Sequence, residues 1–204
     1  MNEDSLKERI LEGAQEKFMA LGISKVSIGE IVEDLGISKK TFYKHFISKE
    51  ELINQVMNRM VLRVRTGVVR IIDANGGFVE KLHMLFEFLG NTLSKFSRAF
   101  QEDLRRTYPE VWQRLEDMRR DTILTNFGKL FSEGARQGMF RNDVNLEVLV
   151  LIFLNAVQGV INPRVLTEAS FSADQALHMI MNIIHEGVLT DEARKRYRSI
   201  RGTR

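Results

Sequence analysis

The sequence predicts an all-α protein in two parts, an N-terminal three-helix helix-turn-helix and a longer C-terminal helical bundle. Three observations predict it. Apolar residues recur at steps of three and four through nearly every segment. Serines stand at helix starts and glycines at helix ends, and no stretch shows the apolar-polar alternation of a strand. Only two prolines occur, both at breaks in the helical period.

Leu6, Ile10, Ala14, Phe18 and Leu21 form one stripe, and Gly22 follows where a left-handed cap is wanted. Ile28, Ile31 and Leu35 give a short second helix, opened by the capping box of Ser27 with Glu30 and stopped by Gly36. Ser38 opens a third, whose Phe42 and Phe46 point inward at i, i+4. Ser48 and Glu51 open a fourth, running to about Asp73 before Asn75, Gly76 and Gly77 break it. Phe78 to about Ser97 is amphipathic, a shorter piece runs toward Thr107, and Pro109 suits the first turn of a long helix ending near Gly138. Residues 146–161 are apolar almost all round, and residues 173–189 carry a cleaner stripe through Ala176, Met179, Ile180, Ile183 and Ile184. A helix apolar on several sides needs covering on several sides.

The third helix breaks a rule that its neighbours keep. The first turn of a helix is electropositive and favours acids, yet Ser38 is followed by Lys39 and Lys40. A local conflict of this kind marks a functional surface, here one fitted to phosphate. From Lys39 to Lys49 the four lysines 39, 40, 44 and 49 meet no carboxylate. The net charge of +3 is less informative: six positive charges sit in the C-terminal run Arg194, Lys195, Arg196, Arg198, Arg201 and Arg204, and removing six from +3 leaves −3 for residues 1–193. That run reads as a solvated, mobile end.

Ser38, Thr41, Phe42, Tyr43, His45, Phe46, Lys49 and Leu52 form a spaced pattern that resembles the DNA-binding domain of the TetR family of bacterial transcriptional regulators, over roughly Leu6 to Leu52. The resemblance implies a helix-turn-helix whose third helix enters the major groove, with flanking groups on phosphates. Its implied contacts are Lys39, Lys40 and Thr41 at bases or nearby phosphates, Tyr43, His45 and Lys49 on phosphates, and Ser27 at the start of the second helix; Ser38 and Lys44 complete the candidate set. Val32 and Leu35 stand where alanine is frequent in the family, and Lys40 where glycine is frequent, so base preference is not transferable. The implied division is a DNA-binding domain over residues 1–48 and a ligand-binding and dimerisation domain over 49–204.

The rest of the chain fits the family by size and helix order. On that likeness, Phe86, Phe96, Phe100, Tyr108, Trp112, Phe127 and Phe131 would line a cavity for an unknown small-molecule effector, with Arg105 or Arg106 at its mouth. Plain core packing explains such a set equally well. A face of Leu149, Phe153, Val157, Met179, Ile180 and Ile183 would meet its symmetry mate as a four-helix bundle in a homodimer.

Other classes are weakly supported. With no cysteine there is no disulfide framework or thiolate chemistry. No Gly-rich phosphate loop or nucleophile elbow appears, so no enzyme and no cofactor are expected. Glu80 with His83 makes a single Glu-x-x-His step, and His178 with His185 a lone pair, too few ligands for a metal site. The longest apolar run ends at Asn155, short of the about 20 residues a membrane span needs. No secretory leader pattern opens the sequence, so the expected location is the cytoplasm.

Overall fold

A computed structural model describes residues 3–202, with side chains from 5 to 200. The chain order is α1 Glu3–Leu21, α2 Ile28–Asp34, α3 Lys39–Phe42, α4 Lys49–Ile72, α5 Phe78–Leu93, α6 Arg98–Arg106, α7 Pro109–Thr122, a π-helical turn Ile123–Phe127, α8 Gly128–Arg136, α9 Leu146–Val160, α10 Pro163–Leu166, α11 Ala173–Val188 and α12 Asp191–Gly202. Among the described residues the only β pairing is one isolated bridge, Phe140 with Leu189. The fold is all-α, as the periodicity predicts. Gly22 and Gly36 end α1 and α2 at φ +93° and +64°, the left-handed caps that only glycine takes without strain.

Two compact units result, residues 1–63 with 95–114, and residues 64–94 with 115–204. The first therefore takes in α6 and the start of α7 besides the N-terminal helices. Its core holds Ile10, Ala14, Phe18, Phe42, Phe46 and Leu52, all at most 1% exposed. Leu35, one of the departures from the family pattern, leans on Gly13 of α1, whose added Cβ would lie 3.6 Å from Leu35 Cδ2.

The second unit is built around stacked rings. Phe127 lies 4.5 Å from Phe153 and 5.9 Å from Phe131, while Phe86 meets Phe127 and Phe153 at 6.2 and 6.4 Å. The long helix expected from Pro109 to Gly138 is interrupted by the π turn, in which Ile123, Asn126 and Phe127 are buried. Asn126 satisfies its amide by donating to Thr122 O at 3.1 Å. The segment ends with Gly138 at φ +68°.

The C-terminal run departs from expectation. Residues 191–202 form α12, with Ala193 and Tyr197 buried, so it is a docked helix rather than a mobile end. Its arginines are paired: Arg196 with Glu80 at 2.6 Å, Arg198 with Glu186 at 2.8 Å, and Arg194 with Asp191. A stripe of Ala193, Tyr197 and Ile200 explains the docking. The side chain of Arg201 and all of Arg204 lie outside the described residues.

One buried ion pair stabilises nothing by itself. Glu116 and Arg119 of α7 meet at 2.8 Å with side chains 13% and 18% exposed, and Arg119 also donates to Ile161 O at 2.8 Å. Burial pushes the Glu116 carboxyl up and the Arg119 guanidinium down, each against its charged form, so desolvation outweighs attraction. Because the fold binds the Glu116 proton more tightly than the unfolded chain does, this group favours the fold at acid pH. That contribution is lost as pH rises through its raised value. Arg119→Met alone is expected to cost about 3 kcal/mol in urea unfolding, and Glu116→Leu with Arg119→Met to lie within about 1 kcal/mol of wild type.

Candidate nucleic-acid interface

The candidate face is assembled on α2 and α3 by their caps. Ser27 Oγ accepts the Glu30 N–H at 3.1 Å, and Glu30 returns a carboxylate oxygen to the Ser27 N–H at 2.7 Å. Those bonds hold the Glu30 carboxyl below the usual range. Ser38 Oγ accepts the Thr41 N–H at 3.0 Å and lies 2.9 Å from Thr41 Oγ1, so these two hydroxyls spend themselves on opening α3. Phe42 and Phe46 are fully buried, 5.5 Å apart, and fix which side of α3 faces out.

Lys39, Lys40 and Lys44 are exposed, and no carboxylate pairs with them among the described residues. Lys39 runs beside α2: a Cβ added to Gly29 would sit 4.0 Å from Lys39 Cε and 3.5 Å from Ser27 Oγ. Lys39 and Ser27 thus converge, which sequence spacing alone does not show. Tyr43 is half exposed, its ring edge-on to Phe42 at 5.4 Å, and His45 is half-buried. Exposed ammonium groups, a phenol and a helix-cap hydroxyl on one segment suit phosphate oxygens.

Lys49 differs from the other eight. Its Nζ donates to Ile23 O at 2.8 Å and its side chain is half-buried, because the start of α4 packs beside the turn that follows α1. Two exposed residues escaped the sequence reading. Ile47, 83% exposed, stands out of the turn before α4, where its N–H binds Glu51 Oε2 at 2.7 Å, and Lys25 is exposed before α2. An apolar residue between two caps and a single lysine in a turn carry no periodic signal.

The eight pocket candidates do not share one unit. Phe96, Phe100, Arg105, Tyr108 and Trp112 belong to the first, and Phe86, Phe127 and Phe131 to the second. The last three are core rings, at most 4% exposed, filled by one another and Phe153. Arg105 pairs with Glu102 at 3.3 Å. A small niche in the second unit, lined by Phe86, Glu87, His178, Met181 and Tyr197 among others, has room for about one water.

The dimer face needs a correction. Leu149, Phe153, Val157 and Ile180 are at most 9% exposed within the single chain, because they close its own ring core. Of the six, only Met179 and Ile183 are open, at 60% and 66%, and their exposed companions are Val148, Leu151 and Ile152 of α9. Both sides of α9 are apolar, so periodicity could not choose between them.

Among the described residues no group of three or more metal-ligating side chains comes together. Glu80 is paired with Arg196, and His178 Nδ1 lies 2.8 Å from Asp174 O. Among the described residues no helix is long and apolar enough to cross a membrane.

A compact three-helix head with a cationic third helix defines a helix-turn-helix DNA-binding regulator. The profile of the bacterial regulatory proteins of the tetR family matches residues 10–56, which contain this face. Residues 10–56 are thus a tetR-family DNA-binding domain, and the chain as a whole is similar to TetR-family transcriptional regulators. It is 20% identical to the uncharacterized HTH-type transcriptional regulator YvaF of Bacillus subtilis, over 81% of this chain and 87% of that one. It is 22% identical to the HTH-type transcriptional repressor KstR2 of Mycolicibacterium smegmatis, over 94% of each. A TetR transcriptional regulator from Chloroflexus aurantiacus shares the fold at TM-score 0.63 and 21% identity, over 92% of this chain and 98% of that one.

Proposed function

We propose that this regulator is a homodimeric repressor that reads a short, approximately palindromic operator with two copies of the α3 face and releases it when a small molecule binds the helical bundle. Ser27, Lys39, Lys40, Tyr43, Lys44 and His45 supply the contacts; Ser38 and Thr41 shape the helix that carries them. The observation that carries the reading is the open apolar face of Val148, Leu151, Ile152, Met179 and Ile183, on two helices that pack on each other, α9 and α11. An open apolar face favours a partner that covers it, a two-fold axis lets such a face meet its own copy, and a two-fold dimer matches a palindrome half-site for half-site. The repressor name of the KstR2 relative supports the sign of regulation. Release needs an effector that prefers the DNA-incompetent state by about 1–3 kcal/mol. The continuous helix α4, shared by both units, is the element through which it acts.

Ile152→Glu with Ile183→Glu is expected to convert the protein from twice its 23.6 kDa chain mass to the single mass in sedimentation, and to weaken operator binding to that of one half-site. A charged pair that left the dimer intact would place the two-fold axis elsewhere. A second reading, a regulator without a small-molecule effector, is favoured by the mutually filled rings of Phe86, Phe127, Phe131 and Phe153. Adding the low-molecular-weight fraction of a cell lysate to the operator complex at fixed salt separates the two: release supports the effector, retention the second reading.

A further inference from the structure

The turn between α1 and α2 is pinned from outside the helix-turn-helix. Ser97 N, at the cap of α6, donates to Met19 O in the last turn of α1 at 3.0 Å. Lys49 Nζ donates to Ile23 O at 2.8 Å. Asp103 of α6 accepts the Ser24 N–H on Oδ2 at 2.8 Å, although it lies 79 residues further along the chain. The approach is close: a Cβ added to Gly22 would lie 2.8 Å from Asp103 Oδ2 and 3.1 Å from Ala99 Cβ. Backbone groups of residues 19, 23 and 24 are thus each held by a different side chain or cap, three residues before Ser27 opens α2.

We propose that Asp103 is a positioning residue for DNA reading: by holding the Ser24 N–H it fixes the entry of α2, and through α2 the pose of the α3 face. The proposal rests on the reading of that face given above. An exposed loop amide has water as an alternative partner, so the bond adds little to whether the unit folds. What it sets is direction. The core residues Ile23 and Val26, at most 1% exposed, hold the turn's inner side, while the Asp103 carboxylate fixes its outer side. Phosphate contacts tolerate a small tilt because flexible lysines follow it, whereas contacts with base edges do not. Loss of the bond therefore lowers discrimination among sequences before it lowers attraction to DNA.

The test uses the full chain and two probes: a duplex selected by the wild-type protein from a random-sequence pool, and a scrambled duplex of equal length. Asp103→Ala is expected to weaken binding to the selected duplex by about tenfold, the size of one lost base contact, and to leave the scrambled duplex and the salt slope unchanged. Asp103→Asn keeps an acceptor for Ser24 and is expected to match wild type. Asp103→Glu moves the oxygens by one methylene without emptying the site and is expected to lose selectivity as alanine does, which covers a poorly folded alanine variant. An unchanged ratio in Asp103→Ala and Asp103→Glu, or equal losses on both duplexes, overturns the proposal, and so does an asparagine variant as poor as alanine. A wild-type protein that selects no duplex rejects the underlying reading instead.

Discussion

Replacing Lys39, Lys40 and Lys44 together with alanine is expected to weaken duplex binding by at least about 10³-fold at low salt while leaving the fold intact. The three ammonium groups are exposed and pair with no carboxylate among the described residues; Lys39 and Lys40 stand in α3 and Lys44 in the turn after it, a segment whose apolar side is closed by Phe42 and Phe46. Their removal therefore leaves no buried charge or cavity. Charge-assisted hydrogen bonds contribute roughly 1.5–3 kcal/mol each, and each phosphate neutralised adds about 0.9 to the slope of log affinity against log salt. The triple variant should bind more weakly and with a shallower slope. Among single changes, Lys40→Ala is the one expected to alter preference between duplexes, because it stands in the first turn of α3, the part of a recognition helix that reaches base edges. A triple variant with unchanged affinity and slope would move the interface elsewhere.

Glu133→Ala is expected to cost about 3–5 kcal/mol in denaturant unfolding and to lower the melting temperature by roughly 6–20 °C. Lys81 is 6% exposed, and its ammonium is held by both Glu133 oxygens, at 3.1 and 2.9 Å. The same carboxylate accepts from Gln137 at 3.1 Å, and Gln137 in turn caps α5 by accepting the Phe78 N–H at 3.1 Å. Truncating Glu133 strands a cation inside the second unit and frees the glutamine that caps the helix. Lys81→Met combined with Glu133→Leu should restore most of the loss, since a desolvated pair and an apolar pair of similar volume are near parity. A small single-variant cost would show that water reaches Lys81.

Much of the fold is legible because helix periodicity and caps are local signals. The stripe through Ile10, Ala14 and Phe18, the box of Ser27 with Glu30 and the glycines at 22 and 36 all act within a few residues, and each sits in the structure where its chemistry requires, whereas Leu21, at the end of the expected stripe, is 51% exposed. The π turn at Ile123–Phe127 was not legible, because its register slip buries Ile123 and Phe127 together against rings that come from other helices. The C-terminal run reads as a solvated end by charge alone; its docking depends on Ala193 and Tyr197 entering the core of the second unit, where Tyr197 meets His83, distant in sequence, at 6.0 Å and His185 at 4.3 Å. At the candidate interface, the exposed Lys39, Lys40 and Lys44 followed from pattern. The inward turn of Lys49 did not, since it depends on where Ile23 O lies in space. On α9 two apolar sides compete, and only packing against Phe127 decides that Phe153 goes inside and Ile152 out.

Lysine-reactive footprinting of the wild-type protein, with and without a bound duplex, reads the claimed surface residue by residue. The expected result is strong protection of Lys39, Lys40 and Lys44 by DNA, with the exposed Lys129 and Lys195 reacting as in the free protein. Unprotected Lys39, Lys40 and Lys44 in a protein fully bound to duplex, or protection confined to α12, would contradict the account.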